Sequence, residues 1–393
     1  MILHSRELNI MKIAAVISEY NPFHFGHKHL LDRTREAGAT HIVSVMSGNF
    51  VQRGDLAIFD KYARTKTALE NGVDLVIELP ARYSLMSAEG FARGAVSLIS
   101  ALGCVEMLSF GSESGEISAL KEASGAVEYC LHTDEFATLI KRGKSYPAAL
   151  QDTLREFYTE DVSEVIASPN NTLAIEYLNA LDNIGSRIEP FTVKRAGVAH
   201  DDDNDGIFAS GSSIRKKIFA GEDYSAFAPV LNEPTADIKR LETAILAKLR
   251  LLHKEDFEQL YDCANGLGER LFKAVRKAGT LEELLFLTKT KRYTLARVRR
   301  ASLCGFLGIT KAISAEPPAY IHILGMNARG REILGAADCQ IPADTSLKAL
   351  SQTSRAALKQ ANFEARLGDI YSLAFEKPRV CGLDFTAKPV ILD

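Results

Sequence analysis

The chain has 393 residues, of which 46% are apolar and 25% are charged, with a formal net charge of −3. This length leaves room for two or three domains with cores of their own. The nearly neutral charge excludes a globally basic coat for nucleic acid, so contact with an acidic polymer must come from local patches.

Strand and helix patterns alternate through the first half of the chain, after a short mixed leader, residues 1–10, that has no signal-peptide core. Met11 opens the first strand-like run, so we interpret the leader as an upstream start or a disordered extension and exclude it from the fold. Apolar runs predict buried strands at 13–20, 41–48, 74–80, 106–112 and 188–197. Helical spacing predicts helices at 26–37, 59–71 and 87–101. Apolar strands joined by crossover helices indicate a parallel sheet that is covered on both faces.

Each of the first four predicted strands is followed by a loop of small and polar residues. These loops read NPFHFGH, SGNFVQRG, PARYS and GSESGE. Ligands of such sheets bind at the carboxyl ends of the strands, near the point where the strand order reverses. We therefore expect the four loops to share one rim.

The second half of the chain loses this alternation. Residues 235–303 carry leucine, isoleucine and alanine at helical spacing, which predicts a separate lobe of helices. The last segment suggests a small mixed α/β unit. The predicted domains are therefore 11–232, 233–314 and 315–393. No apolar run in the sequence approaches the ~20 residues that a helix needs to cross a bilayer.

Two features that could indicate a metal site do not. The six cysteines are far apart and form none of the close pairs of a zinc or redox site. The acidic loop at 201–206 begins like a calcium-binding EF-hand loop, but Ser212 stands at the twelfth position, where glutamate is required. We expect no metal centre, a solvated acidic loop, and reduced thiols typical of a cytoplasmic protein.

The loop after the first strand places two histidines, His24 and His27, around Gly26. Residues three apart share a helix face, and a helix N-terminus has unpaired N–H groups that favour phosphate. Two imidazoles there can donate hydrogen bonds to a polyphosphate as charge moves onto the leaving group. Chance surface histidines and a metal site are the alternatives, and zinc lacks an obvious third ligand nearby. The position after the first strand of an α/β domain favours nucleotide chemistry.

Two motifs resemble those of a known superfamily. The HFGH at 24–27 resembles the HxGH signature of the nucleotidyltransferases, and ASGSSIR at 209–215 loosely resembles their second motif, which opens a later helix and covers the triphosphate. Arg215 takes the position of that motif's arginine and Ser212 the position of its threonine. Gly211 stands where the motif has serine.

Longer segments narrow the match to one family. EYNPFHFGH, MSGNFVQRG, KYARTKTAL, GVDLVIELP, FGSESG, SYPAA, SPNNTLAIEYL and TKRYTLARVRR together resemble the bacterial tRNA-Met cytidine acetate ligases, over nearly the whole chain from Met11. The resemblance implies a Rossmann-like (HUP-type) parallel-sheet nucleotidyltransferase domain with a C-terminal helical tRNA-binding lobe and a small α/β extension. It implies an enzyme that activates acetate with ATP as acetyl-adenylate and transfers the acetyl group to N4 of the wobble cytidine of elongator tRNA-Met. AMP and pyrophosphate are the by-products.

The family's site residues carry over to matching positions here. The resemblance assigns catalysis to His24 and His27. The implied ATP-binding residues are Val16, Ile17, Ser18, Glu19, Tyr20, Asn21, Pro22, Phe23, His24, Phe25, Gly26, His27, Lys28, His29, Gly111, Asn170, Arg195, Ser212 and Arg215. Asn171 is an alternative to Asn170 that no physical argument separates. Mg²⁺ is expected with the triphosphate, held mostly by phosphate oxygens and water, and acetate is the co-substrate.

A basic segment in the helical lobe, KTKRYTLARVRR at 289–300, is the candidate contact for tRNA. Its predicted tRNA-binding residues are Lys289, Lys291, Arg292, Tyr293, Arg297, Arg299 and Arg300. Tyr293 among the positive charges adds a surface for base stacking. If the family resemblance is set aside, a helix face that is simply solvated explains the basic segment equally well. A second polar cluster has three possible roles, an acetate or phosphate pocket, a tRNA contact or a salt-bridged rim, and its residues are Gln52, Arg53, Lys61 and Arg64.

The alternative function is a small-molecule adenylyltransferase of the same fold, acting on pantetheine phosphate or a nicotinate nucleotide. Such an enzyme does not need the lobe after residue 235 or its basic segment. An RNA-binding protein with a vestigial site is opposed by the intact His24, Gly26, His27 and Arg215. The ligase hypothesis predicts ATP, acetate and elongator tRNA-Met as partners, a cytoplasmic location and no membrane contact. The oligomeric state stays open.

Overall fold

The structure, a computed structural model, describes residues 11–195 and 208–393. The leader, 1–10, and the acidic loop, 201–206, lie outside the described residues. The described strands are β1 (Ile13–Ser18), β2 (His41–Ser47), β3 (Phe50–Val51), β4 (Asp55–Leu56), β5 (Leu75–Leu79), β6 (Met107–Ser112), β7 (Glu189–Lys194), β8 (Ile321–Met326), β9 (Ala343–Asp344) and β10 (Val390–Ile391).

Eight of these strands form the central sheet, in the order β10-β8-β5-β2-β1-β6-β7, with β9 beside β8. Strands β5, β2, β1, β6 and β7 are parallel, as predicted, whereas β8 runs antiparallel to β5. Ser18 pairs with Met46 at the carboxyl end of the β1–β2 ladder. Strands β3 and β4 form a small antiparallel hairpin after β2.

The helices of the first part of the chain connect the strands of the sheet and cover it. They are α1 (Phe25–Glu36), α2 (Lys61–Glu70), α3 (Ala81–Ser84), α4 (Ala88–Leu102), α5 (Ile117–Leu131), α6 (Asp134–Lys141), α7 (Tyr146–Phe157), α8 (Glu160–Ala167), α9 (Pro169–Asn183) and α10 (Gly211–Ala220). Asp60 begins α2 because its carboxylate accepts the N–H groups of Tyr62 and Ala63, both at 2.9 Å. The predicted α/β fold is confirmed, and α3 is a short helix where we expected a loop.

The sheet separates two cores. In β2, Val43 and Val45 belong to one core, which includes α4, α5 and α9, while Ile42 and Met46 belong to the other, which includes α1 and α2. This division follows from the period of two along a strand. Burial of each such aliphatic side chain contributes about 1.5–3 kcal/mol, so strands that are apolar on both faces are stable only between two layers of helices.

A helical lobe follows, and its core is separate from the two cores of the sheet. It contains a short 3₁₀-helix (Ile238–Leu241), α11 (Glu242–Leu251), α12 (Lys254–Gln259), α13 (Leu267–Val275), α14 (Leu281–Thr288), α15 (Leu295–Leu307) and α16 (Lys311–Ala315). Phe50 and Leu56 of the β3–β4 hairpin belong to this core. The lobe therefore packs directly against the hairpin.

The last segment contains α17 (Ala328–Ala336), α18 (Leu347–Ser351), α19 (Arg355–Ser372) and α20 (Leu383–Thr386). Its strands β8, β9 and β10 extend the central sheet. The division into 11–232, 233–314 and 315–393 stays a prediction. Across 11–195 and 208–393, no helix combines the length and apolar character that a membrane crossing needs.

Candidate active site

A cleft of about 390 Å³ opens at the carboxyl end of β1. It is bounded by the loop after β1, the β3–β4 hairpin that follows β2, the ends of β6 and β7, and the N-terminal parts of α9 and α10. Clefts of this size at this end of a parallel sheet are common ligand sites. The loop after β5 does not reach the cleft, because Ala81 and Leu85 pack into the core of the helical lobe. The expectation that all four loops share one rim is therefore wrong for that loop.

His24 and His27 stack against each other where α1 begins. Their ring centroids are 3.7 Å apart, with 22° between the ring planes. A Cβ on Gly26 would lie 3.0 Å from both Cε1 and Nδ1 of His24. A side chain at this position would therefore crowd the imidazole of His24, which would have to shift by a few tenths of an ångström.

A hydrogen bond fixes the tautomer of His27. The backbone N–H of His24 donates to its Nδ1 at 3.1 Å, so the neutral ring carries its hydrogen on Nε2. Burial lowers the pKa of His27 well below its usual value, and the charges of His24 and Arg195 act in the same direction. His27 is therefore a neutral imidazole at neutral pH that can donate from Nε2.

Most of the predicted stretch 16–29 lines the cleft, but three of its residues do not. Phe23 is 1% exposed and belongs to the core beneath α1. Phe25 donates its backbone N–H to the segment after α10. Lys28 forms a solvent-exposed ion pair with Asp32. The structure thus brings eleven of these fourteen residues to one site: Val16, Ile17, Ser18, Glu19, Tyr20, Asn21, Pro22, His24, Gly26, His27 and His29.

Gly111, Asn170 and Arg195 also line the cleft. Asn170 donates from Nδ2 to Oε1 of Glu113 at 2.6 Å, and its Oδ1 lies 3.5 Å from Nη1 of Arg195. Asn171 is 3% exposed, and its Oδ1 accepts the backbone N–H of Glu113 at 2.8 Å. Asn171 therefore holds the loop after β6 in place, and Asn170 is the asparagine at the cleft.

The beginning of α10 supplies another wall. Arg215 donates from Nη1 to the backbone oxygen of Asn21 at 2.6 Å, which joins α10 to the loop after β1. Burial lowers the pKa of Arg215, and the charges of Asp55 and Glu19 oppose this change. Arginine remains a cation under these conditions. Ser212 lines the same wall.

The polar cluster of the second loop divides into two pairs. Lys61 and Arg64 are 2% and 1% exposed. Arg64 donates from Nη1 to the backbone oxygen of Glu19 at 2.7 Å, so it supports the strand end and does not line the cleft. Gln52 and Arg53 do line it.

The basic segment of the lobe begins in the turn before α15. Lys289 and Lys291 are exposed, and Arg292 is half-buried. Tyr293 is 6% exposed, and its hydroxyl donates to the backbone oxygen of Asn265 at 2.5 Å. The expectation that this ring stacks on a base is therefore wrong, because the ring lies in the core of the lobe.

The three remaining arginines of the segment have different positions. Arg297 and Arg300 form ion pairs with Asp262, at 2.9 and 2.8 Å. Arg299 lines the cleft. The segment therefore combines exposed cations, structural ion pairs and one arginine at the candidate active site.

Several cleft residues were not identified from the sequence. Asp55 comes from the hairpin, and Phe110, Leu173 and Tyr177 form an apolar part of the wall. A two-residue strand such as β4 has no recognisable alternation, and the apolar wall joins β6 to α9. The sequence did contain one signal for Asp55, because this carboxylate lies two residues after Arg53, a cation of the same loop. Within the described ranges, no three histidine, cysteine, aspartate or glutamate side chains are grouped to hold a metal ion.

Comparison with known proteins gives a consistent picture. The HIGH Nucleotidyl Transferase family model matches residues 11–382. The tRNA(Met) cytidine acetate ligase of Syntrophomonas wolfei subsp. wolfei is 35% identical over 421 residues, covering 97% of this chain and 99% of that protein. The ligase of the same name from Thermoanaerobacter sp. (strain X514) is 36% identical over 401 residues, covering 95% and 98%. The crystal structure of Thermotoga maritima TmcAL bound with alpha-thio ATP matches with a TM-score of 0.86 at 31% identity, covering 97% of this chain and 100% of that one.

Proposed function

The chain belongs to the HIGH nucleotidyl transferase family and, within it, to the tRNA(Met) cytidine acetate ligases, and we propose the reaction that it catalyses. It activates acetate with ATP as acetyl-adenylate, then transfers the acetyl group to N4 of the wobble cytidine of elongator tRNA-Met, releasing AMP and pyrophosphate. One observation carries the proposal. The stacked imidazoles of His24 and His27 lie in a cleft that also contains Arg195 and Arg215.

The first step is the attack of an acetate oxygen on the α-phosphorus of ATP. The new P–O bond forms as the bond to the bridging oxygen of pyrophosphate breaks. Acetate is a weak nucleophile, so catalysis comes mainly from positioning and from stabilisation of the charge on the leaving group. The Nε2–H of His27 and the guanidinium of Arg215 are donors for that charge, and hydrogen bonds to His24 and Asn21 hold them in place.

The apolar part of the cleft wall suits the nucleoside. Phe110, Leu173 and Tyr177 offer apolar contact for a purine beside Gly111, where no side chain intervenes. Arg195 is a planar donor for the adenylate phosphate. Mg²⁺ is expected to enter with the triphosphate as part of the substrate, held mostly by phosphate oxygens and water.

The helical lobe serves the second substrate. Lys289 and Lys291 are exposed cations of the basic segment that can contact an RNA backbone, and the half-buried Arg292 lies beside them in the sequence. Arg299 extends the positive charge to the cleft. A tRNA substrate implies a cytoplasmic enzyme. The small-molecule adenylyltransferase is the weaker candidate, since it leaves these features without a role.

The test combines the protein with ATP, labelled acetate and transcribed elongator tRNA-Met. The ligase predicts label in the RNA at one cytidine, together with AMP and pyrophosphate. If RNA stayed unlabelled while pantetheine phosphate or nicotinate mononucleotide consumed ATP, the alternative would replace this function.

A further inference from the structure

Part of the cleft lining lies outside the residues assigned to ATP, and we call this part the second arm. The β3–β4 hairpin contributes Gln52, Arg53 and Asp55 to it, and helix α15 of the lobe contributes Arg299. The arm therefore lies where the ATP cleft and the basic lobe meet.

Close packing fixes the two walls relative to each other. Gly54, in the turn of the hairpin, has a left-handed φ of +73°, and a Cβ there would lie 2.5 Å from the backbone nitrogen of Arg300 and 2.7 Å from the carbonyl carbon of Arg299. Only glycine permits this approach. The position of Arg299 in the arm is thus set by backbone contact.

The hairpin is also joined to the loop that carries the two histidines. The backbone N–H of Gln52 donates to Oε1 of Glu19 at 2.6 Å. Just after the hairpin, the backbone N–H of Ile58 donates to Oδ1 of Asn21 at 2.8 Å. The arm therefore opens beside the strand end at which the adenylate is expected to form.

Asp55 is the carboxylate of this arm. Its Oδ1 accepts the backbone N–H of Leu56 at 2.8 Å, and no hydrogen bond from the described residues engages its Oδ2. Burial raises the pKa of Asp55, whereas Leu56 N–H, Arg215 and Arg299 oppose the rise and Asp237 adds to it. A carboxylate with a raised pKa is a better proton acceptor than an exposed one.

The charges of Asp55 and the arginines of the arm match one kind of acetyl acceptor. The exocyclic amine of cytosine is a hydrogen-bond donor that a carboxylate recognises, whereas uracil presents a carbonyl oxygen at the same position. Arginines such as Arg53 and Arg299 suit the phosphates on either side of a base. A carboxylate that interacts with nearby arginines is therefore suited to a cytidine within an RNA strand.

We propose that Asp55 binds the acceptor cytidine of the tRNA, an inference that rests on the proposed function. Its Oδ2 accepts a hydrogen bond from the N4 amine. As the bond from N4 to the acetyl carbon forms and the bond from that carbon to the adenylate oxygen breaks, the amine proton passes to Asp55 and AMP leaves. Arg53 and Arg299 hold the flanking phosphates, so both walls of the arm contact the same nucleotide.

The test uses Asp55→Asn, which keeps an oxygen to accept the Leu56 N–H. Acetate-dependent exchange of labelled pyrophosphate into ATP measures activation, and labelling of tRNA measures transfer. We expect exchange within about twofold of the unsubstituted enzyme and transfer lower by about 10²-fold, the usual contribution of a proton acceptor. Asp161→Asn, at an exposed carboxylate of α8, should change neither rate.

Base discrimination separates recognition from a merely structural role. Elongator tRNA-Met transcripts with cytidine or uridine at the acceptor position are used as competing ligands. The unsubstituted enzyme should prefer cytidine by roughly tenfold, and Asp55→Asn should lose or reverse that preference, because an amide can donate to the uracil oxygen. The proposal is overturned by normal transfer, by unchanged discrimination, or by an exchange rate that falls as much as transfer. An unsubstituted enzyme that labels no RNA would instead refute the proposed function.

Discussion

The Nζ atom of Lys61 lies 2.8 Å from Oε1 of Glu78, in a site from which solvent is excluded. Asp384 adds a second carboxylate at 3.1 Å, and Nδ1 of His322 lies 2.6 Å from the other oxygen of Glu78. Burial by itself would lower the pKa of Lys61, but Asp384 and Glu78 raise it well above its usual value. This network joins α2 and β5 to β8 and α20, so it connects the beginning of the chain to its end.

Lys61→Met should destabilise the protein strongly. Removing the ammonium leaves buried carboxylates without a counter-charge, a change worth about 3–5 kcal/mol. Lys66→Met is the matched control on the same helix, because Lys66 pairs with Glu70 at an exposed site where the loss is about 0–1 kcal/mol. Thermal unfolding of both variants measures the difference, and equal midpoints would contradict the structural role of Lys61.

The buried carboxyl of Glu364 should make the free energy of unfolding depend on pH. Burial, with Glu78 nearby, raises the pKa of its carboxyl to about 7 from 4.5, although the N–H of Ala81 opposes the rise. Between these values the folded protein holds a proton that the unfolded chain has lost, so stability decreases as pH rises from 4.5 to 7 and then levels off.

Glu364→Gln cannot ionise, so it should remove this decrease. Relative to the unsubstituted protein, the variant should gain about 2–3 kcal/mol between pH 5 and pH 8. Melting midpoints across that range provide the measurement, with Glu376→Gln as the control at an exposed glutamate. A pH dependence that is the same in all three proteins would show that Glu364 is ionised in the fold.

The sequence could not show which of its charged side chains are buried. Lys61, Arg64 and Arg53 are cations close to one loop, and no local pattern separates the two that support the fold from the one at the cleft. The strands at 41–48 and 74–80 were predictable because buried β-branched runs are local signals. The pairing of Val76 with Gly325 was not, since the pairing partner is distant in the sequence.

The candidate site likewise has one part that a local sequence pattern predicts and another that depends on contacts between distant segments. The spacing of His24, Gly26 and His27 is a local signature, whereas the arm that contains Asp55 and Arg299 exists only after the lobe packs on the hairpin. The same packing explains why the sequence wrongly predicts a base-stacking role for Tyr293. Its neighbours are basic in sequence, but in the structure the ring is surrounded by the lobe's core.

His27→Ala should abolish most acetylation while the fold remains intact. Loss of one preorganised donor to the leaving group lowers kcat by about 10²–10³. Acetate-dependent pyrophosphate exchange should fall in the same proportion as tRNA labelling, because both require activation. His132→Ala, at an exposed histidine, is the control. Normal labelling by the His27 variant would remove this residue from the mechanism.

Gly54→Ala should disturb the contact between hairpin and lobe. Gly143 is the matched control, because its φ of +88° is also left-handed but a Cβ there meets nothing within 4 Å. Backbone strain alone is worth about 1–2 kcal/mol, so Gly143→Ala should show only that loss. Gly54→Ala should unfold at a lower temperature than Gly143→Ala and label tRNA more slowly. Equal behaviour of the two variants would show that the hairpin can move away from α15 without consequence.

The exposed cations of the basic segment should contribute to tRNA affinity without supporting the fold. Lys289→Glu and Lys291→Glu together should weaken binding and reduce the slope of log K against log salt concentration by up to about two. Their melting midpoint should not change, because both side chains are exposed.

Arg297→Glu and Arg300→Glu provide the contrast, since they place a negative charge beside Asp262, with which both arginines are paired. These variants should unfold at lower temperature, so their loss of affinity cannot be assigned to RNA contact alone. Filter binding at several salt concentrations, with melting curves of the same samples, separates the two effects. Unchanged affinity and salt slope in the double lysine variant would show that tRNA binds elsewhere on the protein.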